Sequence, residues 1–155
     1  MRPRTHARER RRPTMSDKLS DPVRAALTAG NLAHMVTINP DGSPQVACVW
    51  VALDEEDRVV SAHLVEQQKI RNLRRDPRVA LSMAPGEKSP DGLAYHFVVH
   101  GHAEVIEGGA PAELSRIAVP YLGAGVQWPP AQFADASGFV IRITVDRVAG
   151  FGPWE

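Results

Sequence analysis

Five basic side chains within ten residues are the part of this sequence with the clearest potential for chemistry. They lie in KIRNLRRDPR, as Lys69, Arg71, Arg74, Arg75 and Arg78. The pattern predicts a helix from about residue 66 to residue 75 with Lys69 in its first turn, where free backbone N–H groups and the helix dipole favour an anion. A lysine adds a point charge there. The segment indicates either a phosphate site at Lys69 or a solvated basic face, and spacing alone does not decide between them. The other arginines, Arg74, Arg75 and Arg78, are better explained as helix-end and surface charges.

Three histidines form the second candidate group. His96, His100 and His102 share one face of a predicted strand by the period of two, and Glu107 follows them. The order His-x-His then Glu matches part of a cupin metal motif, but the glycine spacings and the second motif of cupins are missing. We therefore expect strand histidines that are solvated or hydrogen-bonded, and no metal site.

The single cysteine limits both chemistry and compartment. Cys48 lies between two apolar pairs, and no partner base can be identified in the sequence, so we expect a small buried hydrophobe rather than a nucleophile. One cysteine allows no internal disulfide, and neither a secretory signal nor a membrane span is recognisable. These features predict a cytoplasmic protein.

The formal net charge of zero hides an asymmetric distribution. Residues 1–14 hold six of the 18 basic residues and one of the 18 acidic ones, which leaves a net charge of −5 for the rest. We expect this segment to be a disordered basic tail, or a mis-called start with Met15 as the initiator. A nucleic-acid arm is the less favoured interpretation. Residues 15–155 are long enough for one domain with a single core.

Apolar runs and turn signals predict a mainly β domain. Strands are expected over LAHMVTIN, QVACVWVAL, RVVSAHL, RVALSMA, AYHFVVHGHAEVI and FVIRITVDRVAGF. An Asp-Gly turn joins the first two strands, and the first three form a meander over residues 32–64. Short helices are expected over LSDPVRAALTAGN, around residues 66–75 and over APAELSRIAVPYLG. Six strands without βαβ alternation favour a small antiparallel barrel with two or three short helices.

The second predicted strand, QVACVWVAL, is apolar on both of its alternating faces. One face of a strand in a small monomeric barrel should meet water. We therefore expect a ligand, a helix or a second subunit to cover the outer face of this strand.

Four segments together resemble a known family: TINPDGSPQVACVWV, SAHLVEQQKIRNLRRDPRVALSM, FVVHGHAEV and IRITVDRVAGF. They resemble the pyridoxamine 5'-phosphate oxidase-like FMN-binding split-barrel family, and within it most closely the class F420-dependent enzymes, or flavin/deazaflavin oxidoreductases. The resemblance covers about residues 20–152, and K-x-R-N-L-R-R-D-P-R is its most specific element. It implies a six-stranded antiparallel split β-barrel that forms a homodimer with two cofactor sites at the interface.

The resemblance also implies which residues bind the cofactor. The second strand runs along the flavin ring with Ala47, Cys48, Val49, Trp50, Val51 and Ala52. The third strand's end and the helix start hold the phosphate with Ser61, Ala62, His63, Gln68 and Lys69. Arg71 assists with the anionic tail of F420, and Met83 and His96 lie near the cofactor. Pyridoxamine phosphate oxidases have an arginine where this chain has Gln68 and a threonine where it has His63, so phosphate binding here rests more on Lys69.

The function implied is an oxidoreductase that uses reduced coenzyme F420 to transfer hydride to an activated C=C or conjugated carbonyl of a small organic substrate. The alternatives are an FMN-dependent oxidoreductase of the same fold and a non-enzymatic flavin or deazaflavin carrier. The C-terminal substrate motif of the oxidases is absent, so oxidation of vitamin B6 phosphates is not expected. No catalytic side chain is identified, and solvent is the expected proton source.

The three tryptophans have structural as well as functional interpretations. Trp50 lies in the ring-contact strand, where a role in the site or dimer interface and a role in the core are equally consistent with its position. For Trp128, in the loop QWPPAQF, the resemblance implies a place in a substrate wall, and packing into the core is equally consistent with the sequence. Trp154 is expected to be a packing anchor.

Overall fold

A computed structural model of the protein describes residues 19–155. The expectations for residues 1–14 lie outside this range. The elements are α1 (Asp21–Thr28), β1 (Ala33–Ile38), β2 (Pro44–Val49), β3 (Ala52–Leu53), β4 (Val59–His63), α2 (Gln68–Arg75), β5 (Arg78–Met83), β6 (His96–Glu107), α3 (Ala110–Leu122), a 3-10 turn (Ala131–Phe133) and β7 (Phe139–Phe151).

All neighbouring strands pair antiparallel, in the order β2-β1-β5-β6-β7-β4-β3. The two strands at the edges of this order, β2 and β3, are separated along the chain by only Trp50 and Val51. A sheet whose edge strands are joined by two residues has to curl until its edges meet, and this produces a barrel. The predicted mainly β, antiparallel split barrel is therefore confirmed, with seven strands in residues 19–155 instead of six.

The extra strand arises because the predicted second strand is broken in two. β2 pairs with β1, as the Asp-Gly turn predicted, whereas β3 pairs with β4 at the other edge of the sheet. The expected three-strand meander over residues 32–64 is therefore wrong. At the break, the Val51 N–H donates to the hydroxyl of Tyr121 at 2.9 Å instead of to a neighbouring strand.

Two apolar clusters hold the fold together. The barrel interior is filled by side chains such as Met35, Leu81, Phe97 and Ile141, all at most 1% exposed. The second cluster lies between α3 and the outer side of β4 and β7, and it contains Ala52, Val60, Ala62, Ala110, Leu114, Ile117 and Val140. Alternate residues of β4 therefore face the interior or α3, which explains why this short strand is buried on both sides.

The three predicted helices are confirmed. Trp154 packs against the barrel near the C-terminus, as expected of a packing anchor. Its indole Nε1 donates to the carbonyl oxygen of His96 at 2.9 Å, and its ring packs edge-on against Phe97 with centroids 4.8 Å apart. Ser20 precedes α1, and its hydroxyl donates to the carbonyl of Trp154 at 2.8 Å instead of capping the helix. None of the helices within residues 19–155 has the length and apolar character that a membrane span requires.

Candidate functional site

A cleft of about 360 Å³ opens where the ends of β2 and β4 meet the start of α2. Six of the residues predicted to bind a cofactor line it: Cys48, Val49, Trp50, Ala62, His63 and Lys69. Its remaining walls come from Leu64, Val65, Gln67, Leu114 and Trp128. The structure thus brings the predicted ring-contact strand and the predicted phosphate site to one cavity.

Asn72 fixes α2, and therefore Lys69, against β1. Its side chain is fully buried, and its Nδ2 donates to Thr37 Oγ1 at 3.0 Å and to Asn39 Oδ1 at 2.9 Å. The Oδ1 of Asn72 accepts a hydrogen bond from Gln68 Nε2 at 2.9 Å. Both polar atoms of this buried amide are hydrogen-bonded, as buried polar groups generally are, and the bonds to Thr37 and Asn39 connect α2 to β1 and its end.

Lys69 is a buried cation beside the cleft. Its side chain is in the first turn of α2 as predicted, only 5% of the residue is exposed, and its ammonium donates to the Gln67 side-chain oxygen. Within residues 19–155 it forms no ion pair. Burial lowers the pKa of the Lys69 amine, because a charge removed from water without a counter-ion is unfavourable. An anionic group bound in the cleft would stabilise this charge.

The start of α2 offers two further donors. The backbone N–H groups of Gln68 and Lys69 have no hydrogen-bond partner within the described part of the chain, whereas the N–H groups of Ile70 and Arg71 donate to the carbonyl of Gln67. Free N–H groups in the first turn of a helix and a lysine ammonium are the donors that phosphate groups take in proteins. The residues present therefore fit the phosphate of a flavin or deazaflavin cofactor.

Glu66 pairs with two arginines on the outer side of α2. Its carboxylate lies 2.6 Å from Arg74 and 3.8 Å from Arg71. The Arg71 guanidinium also donates to Gln68 Oε1 at 2.8 Å, and its side chain is 51% exposed. Arg71, which the resemblance assigns to an anionic tail, is therefore already held by groups of the protein.

The arginines at the end of the segment have structural partners, as predicted for helix-end and surface charges. Arg75 donates to the backbone carbonyl of Ile38. Arg78 lies 2.7 Å from Asp76, whose pKa falls to about 2 mainly because its carboxylate accepts hydrogen bonds from Arg78. Lys69 therefore differs from the rest of the basic segment, since it alone faces the cleft without an acidic or backbone-carbonyl partner in residues 19–155.

His63 is a neutral imidazole next to Lys69. Its Nε2 lies 3.1 Å from the hydroxyl of fully buried Ser61. Burial first, and then the charge of Lys69, lower the pKa of His63 to about 3. Gly138, at φ +61°, packs against this strand end, where an added Cβ would lie 2.5 Å from the His63 carbonyl oxygen.

Aromatic side chains form one wall of the cleft. Trp50 stacks on Tyr121 with centroids 4.9 Å apart and lies 5.8 Å from Trp128. The Tyr121 hydroxyl accepts the Val51 N–H bond and donates to the carbonyl of Asn31 at 2.7 Å, and burial raises its pKa. Trp50 and Trp128 thus line the cleft and also pack against the second apolar cluster. Sequence reasoning missed Tyr121, although its place at the end of a predicted helix and its phenol were visible.

Several predicted cofactor residues do not line this cleft. They are Ala47, Val51, Ala52, Ser61, Gln68, Arg71, Met83 and His96. Met83 is 2% exposed inside the barrel. His63 and His96 pair with residues twelve positions apart on β7, which places them at opposite ends of that long strand.

The prediction that Cys48 is buried is wrong. Cys48 is exposed, and so is Val46, which is 58% exposed on the same face of β2. The outward residues of β2 (Pro44, Val46 and Cys48) are all exposed, so no other part of residues 19–155 covers this face. The expectation that the outer face of this strand needs a cover remains a prediction.

The three strand histidines share a face, as predicted, because the alternating residues Phe97, Val99 and Gly101 are buried on the other face. His102 Nδ1 lies 3.2 Å from the Asp146 carboxylate, and His96 Nδ1 lies 3.1 Å from the carbonyl of Ala94. In the part of the chain that the structure describes, no group of three or more His, Cys, Asp or Glu side chains could hold a metal ion.

The fold and its cleft place the protein among the split β-barrels. Residues 19–151 match the family model described as pyridoxamine 5'-phosphate oxidase, and the chain belongs to this family. The family is one of flavin- and deazaflavin-type oxidoreductases.

Solved structures share the architecture. One named F420 reductase is 27% identical with a TM-score of 0.65, and the match covers 81% of this chain and 94% of the other. A conserved hypothetical protein of Mycobacterium tuberculosis is 22% identical with a TM-score of 0.67, covering 88% and 85%. A putative pyridoxamine 5'-phosphate oxidase from Listeria innocua is 18% identical with a TM-score of 0.58, covering 84% and 96%. The last two comparisons support the fold alone.

Proposed function

We propose that the protein is an oxidoreductase that uses reduced coenzyme F420 to transfer hydride to an activated C=C or conjugated carbonyl of a small organic substrate. The observation that carries the proposal is the buried Lys69 ammonium, which borders the cleft with only a neutral amide as its partner. The 27% identity to the F420 reductase supports the deazaflavin over FMN. The proposed compartment is the cytoplasm.

The residues of the chain bind and orient in this proposal. Lys69 and the free N–H groups at the start of α2 hold the cofactor phosphate. The end of β2, with Trp50 and exposed Cys48, borders the ring. When bound, the reduced deazaflavin supplies a hydride from its ring carbon, and solvent supplies the proton that completes reduction of the acceptor.

Neutral His63 adds a hydrogen-bonding group without a charge. A second cation next to Lys69 would raise the cost of burying both, so a histidine that stays neutral can lie close to the ammonium. Its imidazole is held by Ser61 and borders the same cleft. We assign it to a hydrogen bond with the phosphate or with the polar chain that links phosphate and ring.

A homodimer is part of the proposal. Val46 and Cys48 face outward from β2, and the adjacent strand β1 presents His34 and Val36 opposite them. A second copy would cover this face, and Cys48 would then lie at the edge of both the interface and the cleft. Light scattering of the full chain tests the dimer, and a monomer at micromolar concentration contradicts it.

The experiment for the function is a pair of fluorescence titrations of purified protein, one with F420 and one with FMN. Saturable quenching with tighter binding of F420 supports the proposal. Tighter binding of FMN moves the protein to the FMN-dependent alternative, and binding of neither overturns both. Oxidation of reduced F420 by a panel of conjugated acceptors then separates a reductase from a cofactor carrier, which would show binding without turnover.

A further inference from the structure

We propose that the phosphate site of the cleft selects phosphodiesters over phosphomonoesters, so that the ester class of the phosphate, besides the ring, decides which cofactor binds. The inference rests on the proposed function, since it assumes that the cleft holds the phosphate of a ring cofactor. We define the phosphate site by the side chains of His63 and Lys69 and the free N–H groups of Gln68 and Lys69 in the described part of the chain. The number of positive charges at this site and the exposure of its outer side both favour a diester.

The phosphate site holds one positive charge. Within residues 19–155, the residues that border the cleft include Lys69 and no Arg, Asp or Glu. The other titratable groups on its walls are the thiol of Cys48 from β2 and the imidazole of His63 from β4, while α3 and the loop after it contribute no titratable side chain. His63 is neutral, because burial and the adjacent ammonium lower its pKa to about 3. A ligand group with one negative charge therefore matches the charge of the site.

The two classes of phosphate ester differ in charge. A phosphodiester carries one negative charge near neutral pH, whereas a phosphomonoester has a second pKa of about 6 and carries about −1.5 to −2 at pH 7. Lys69 is only 5% exposed, so a phosphate in contact with its ammonium loses part of its hydration. The attraction to one ammonium grows in proportion to the charge of the ligand, but the free energy of removing the ligand from water grows with the square of that charge. With a single cation in the cleft, the second charge of a monoester therefore weakens binding.

The outer side of the phosphate site is open to solvent. Val65 borders the cleft and is 61% exposed. Gln67, whose side chain accepts the hydrogen bond of the Lys69 ammonium, also borders the cleft and is exposed. A monoester ends at its phosphate and can fill a closed pocket, while the chain of a diester continues beyond the phosphate. The exposed positions beside Lys69 leave an exit for this second substituent.

The test compares two ligands that share one ring: the 5'-phosphate of the deazaflavin ribityl unit of F420, which is a monoester, and the methyl ester of this phosphate, which is a diester. Each is titrated by fluorescence quenching against the cofactor-free full chain. The diester should bind at least about fivefold more tightly at pH 7.5, and the ratio should fall below about twofold at pH 5.5, where most of the monoester has one charge. Ionisation of the ring and of Lys69 is common to both titrations, so the ratio of the two dissociation constants reports the phosphate.

A matched pair of variants tests the count of positive charges. Val65→Lys adds a cation at the rim of the cleft, and Val126→Lys adds the same charge at a position that is 53% exposed and outside the cleft lining. Val65→Lys should reduce the preference for the diester at pH 7.5 by about threefold or more, because a second cation matches the second charge of the monoester. Val126→Lys should leave the preference unchanged. Circular dichroism confirms that each variant is folded.

A titration with F420 itself separates this inference from the proposed function. Equal affinity for the two esters at pH 7.5, a ratio that does not change with pH, or equal effects of the two lysine variants overturns the ester selectivity even if F420 binds. Binding of F420 without measurable binding of either ester also overturns it, since the affinity would then come from the tail. Binding of the methyl ester without binding of F420 supports the selectivity and overturns the proposed function, and binding of none of the three ligands overturns both.

Discussion

The phenol of Tyr121 accepts a hydrogen bond from the backbone N–H of Val51 at 2.9 Å, across 70 positions of sequence. This bond lies where the chain leaves one edge of the sheet and enters the other. The same hydroxyl donates to the Asn31 carbonyl, so one side chain joins the end of α3, the segment before β1 and the β2–β3 junction. Trp50 stacks on its ring and thereby places an indole at the wall of the cleft.

Replacing Tyr121 with phenylalanine should lower the free energy of unfolding by about 1–3 kcal/mol, since the buried Val51 N–H loses its acceptor. The ring and its stacking on Trp50 remain, so the effect reports the hydroxyl. Urea denaturation measures it. Tyr95→Phe is the matched control, because the Tyr95 hydroxyl has no hydrogen-bond partner in residues 19–155. Equal effects of the two substitutions would show that the phenol does not hold the junction.

The lowered pKa of His63 predicts a pH dependence of stability. Its pKa is about 3 in the folded protein and near its ordinary value of 6.5 when unfolded. The unfolded state therefore binds more protons between these values, and stability falls as pH is lowered from 6.5 towards 3, with a slope of up to about 1.4 kcal/mol per pH unit for one proton. Above pH 6.5 His63 is neutral in both states, and its contribution to the free energy of unfolding no longer changes with pH.

The predicted pH dependence is measured by comparing the urea midpoints of the wild-type protein and the His63→Asn variant between pH 6.5 and pH 5. The interval lies above the ordinary titration range of aspartate and glutamate, so the difference in slope reports the imidazole. His63→Asn should have the flatter profile. Lys69→Met should raise the pKa of His63 in an NMR titration, because a neighbouring positive charge is removed while burial persists. Parallel stability profiles of the two proteins would contradict a lowered pKa of His63. So would an NMR resonance of His63 itself that titrates near pH 6.5 in the wild-type protein.

Glu66 should weaken binding of a multiply charged cofactor. Its carboxylate pairs with Arg71 and Arg74, and Glu66→Gln removes the negative charge that competes with an anionic tail for these two guanidinium groups. We expect F420 affinity to improve by roughly 0.5–1 kcal/mol, the range of a surface ion pair, with a smaller gain in 0.5 M salt. Glu87→Gln removes the same charge from an exposed loop and should have less effect. An unchanged or weaker affinity for Glu66→Gln excludes a role for these arginines at the tail.

Gly138 should tolerate no side chain, because of a steric clash beside His63. An added Cβ would lie 2.4 Å from Ala110 Cβ and 2.5 Å from the His63 carbonyl oxygen. Gly109 also has a positive φ, +77°, but nothing lies within 4 Å of its added Cβ. In both alanine variants the left-handed backbone costs about 1–2 kcal/mol of stability. The melting temperature of Gly138→Ala should fall clearly further than that of Gly109→Ala. Equal losses would show that β4 and the start of β7 adjust freely.

Local signals in the sequence predicted the local parts of the fold. The Asp41-Gly42 turn between apolar runs produced the β1–β2 hairpin, with Gly42 at φ +85°. The basic segment placed Lys69 in the first turn of α2. These features depend on residues that are neighbours in the chain, and hydrophobic period and turn chemistry report such neighbours well.

The predictions that were wrong, and the features that were not predicted, depend on contacts between residues that are far apart in the sequence. QVACVWVAL contains no turn residue, so its break at Trp50 and Val51 is visible only once Tyr121 is in place. Cys48 is exposed because no other element of residues 19–155 covers the outer face of β2, and which faces are covered depends on packing between parts of the chain that are far apart in sequence. The cleft itself needs Trp128 from a loop that carries no periodic signal.

The central claim is that Lys69 holds the phosphate of the cofactor, and the most direct measurement is the dissociation constant of F420 for Lys69→Met beside Lys88→Met. Both substitutions remove one lysine charge, but Lys88 is in an exposed loop away from the cleft. We expect Lys69→Met to weaken binding by about 1.5–3 kcal/mol, the range for a hydrogen bond to a charged group, and Lys88→Met to have no effect. An unchanged dissociation constant in a folded Lys69→Met protein would contradict the assignment of this cleft to the cofactor phosphate.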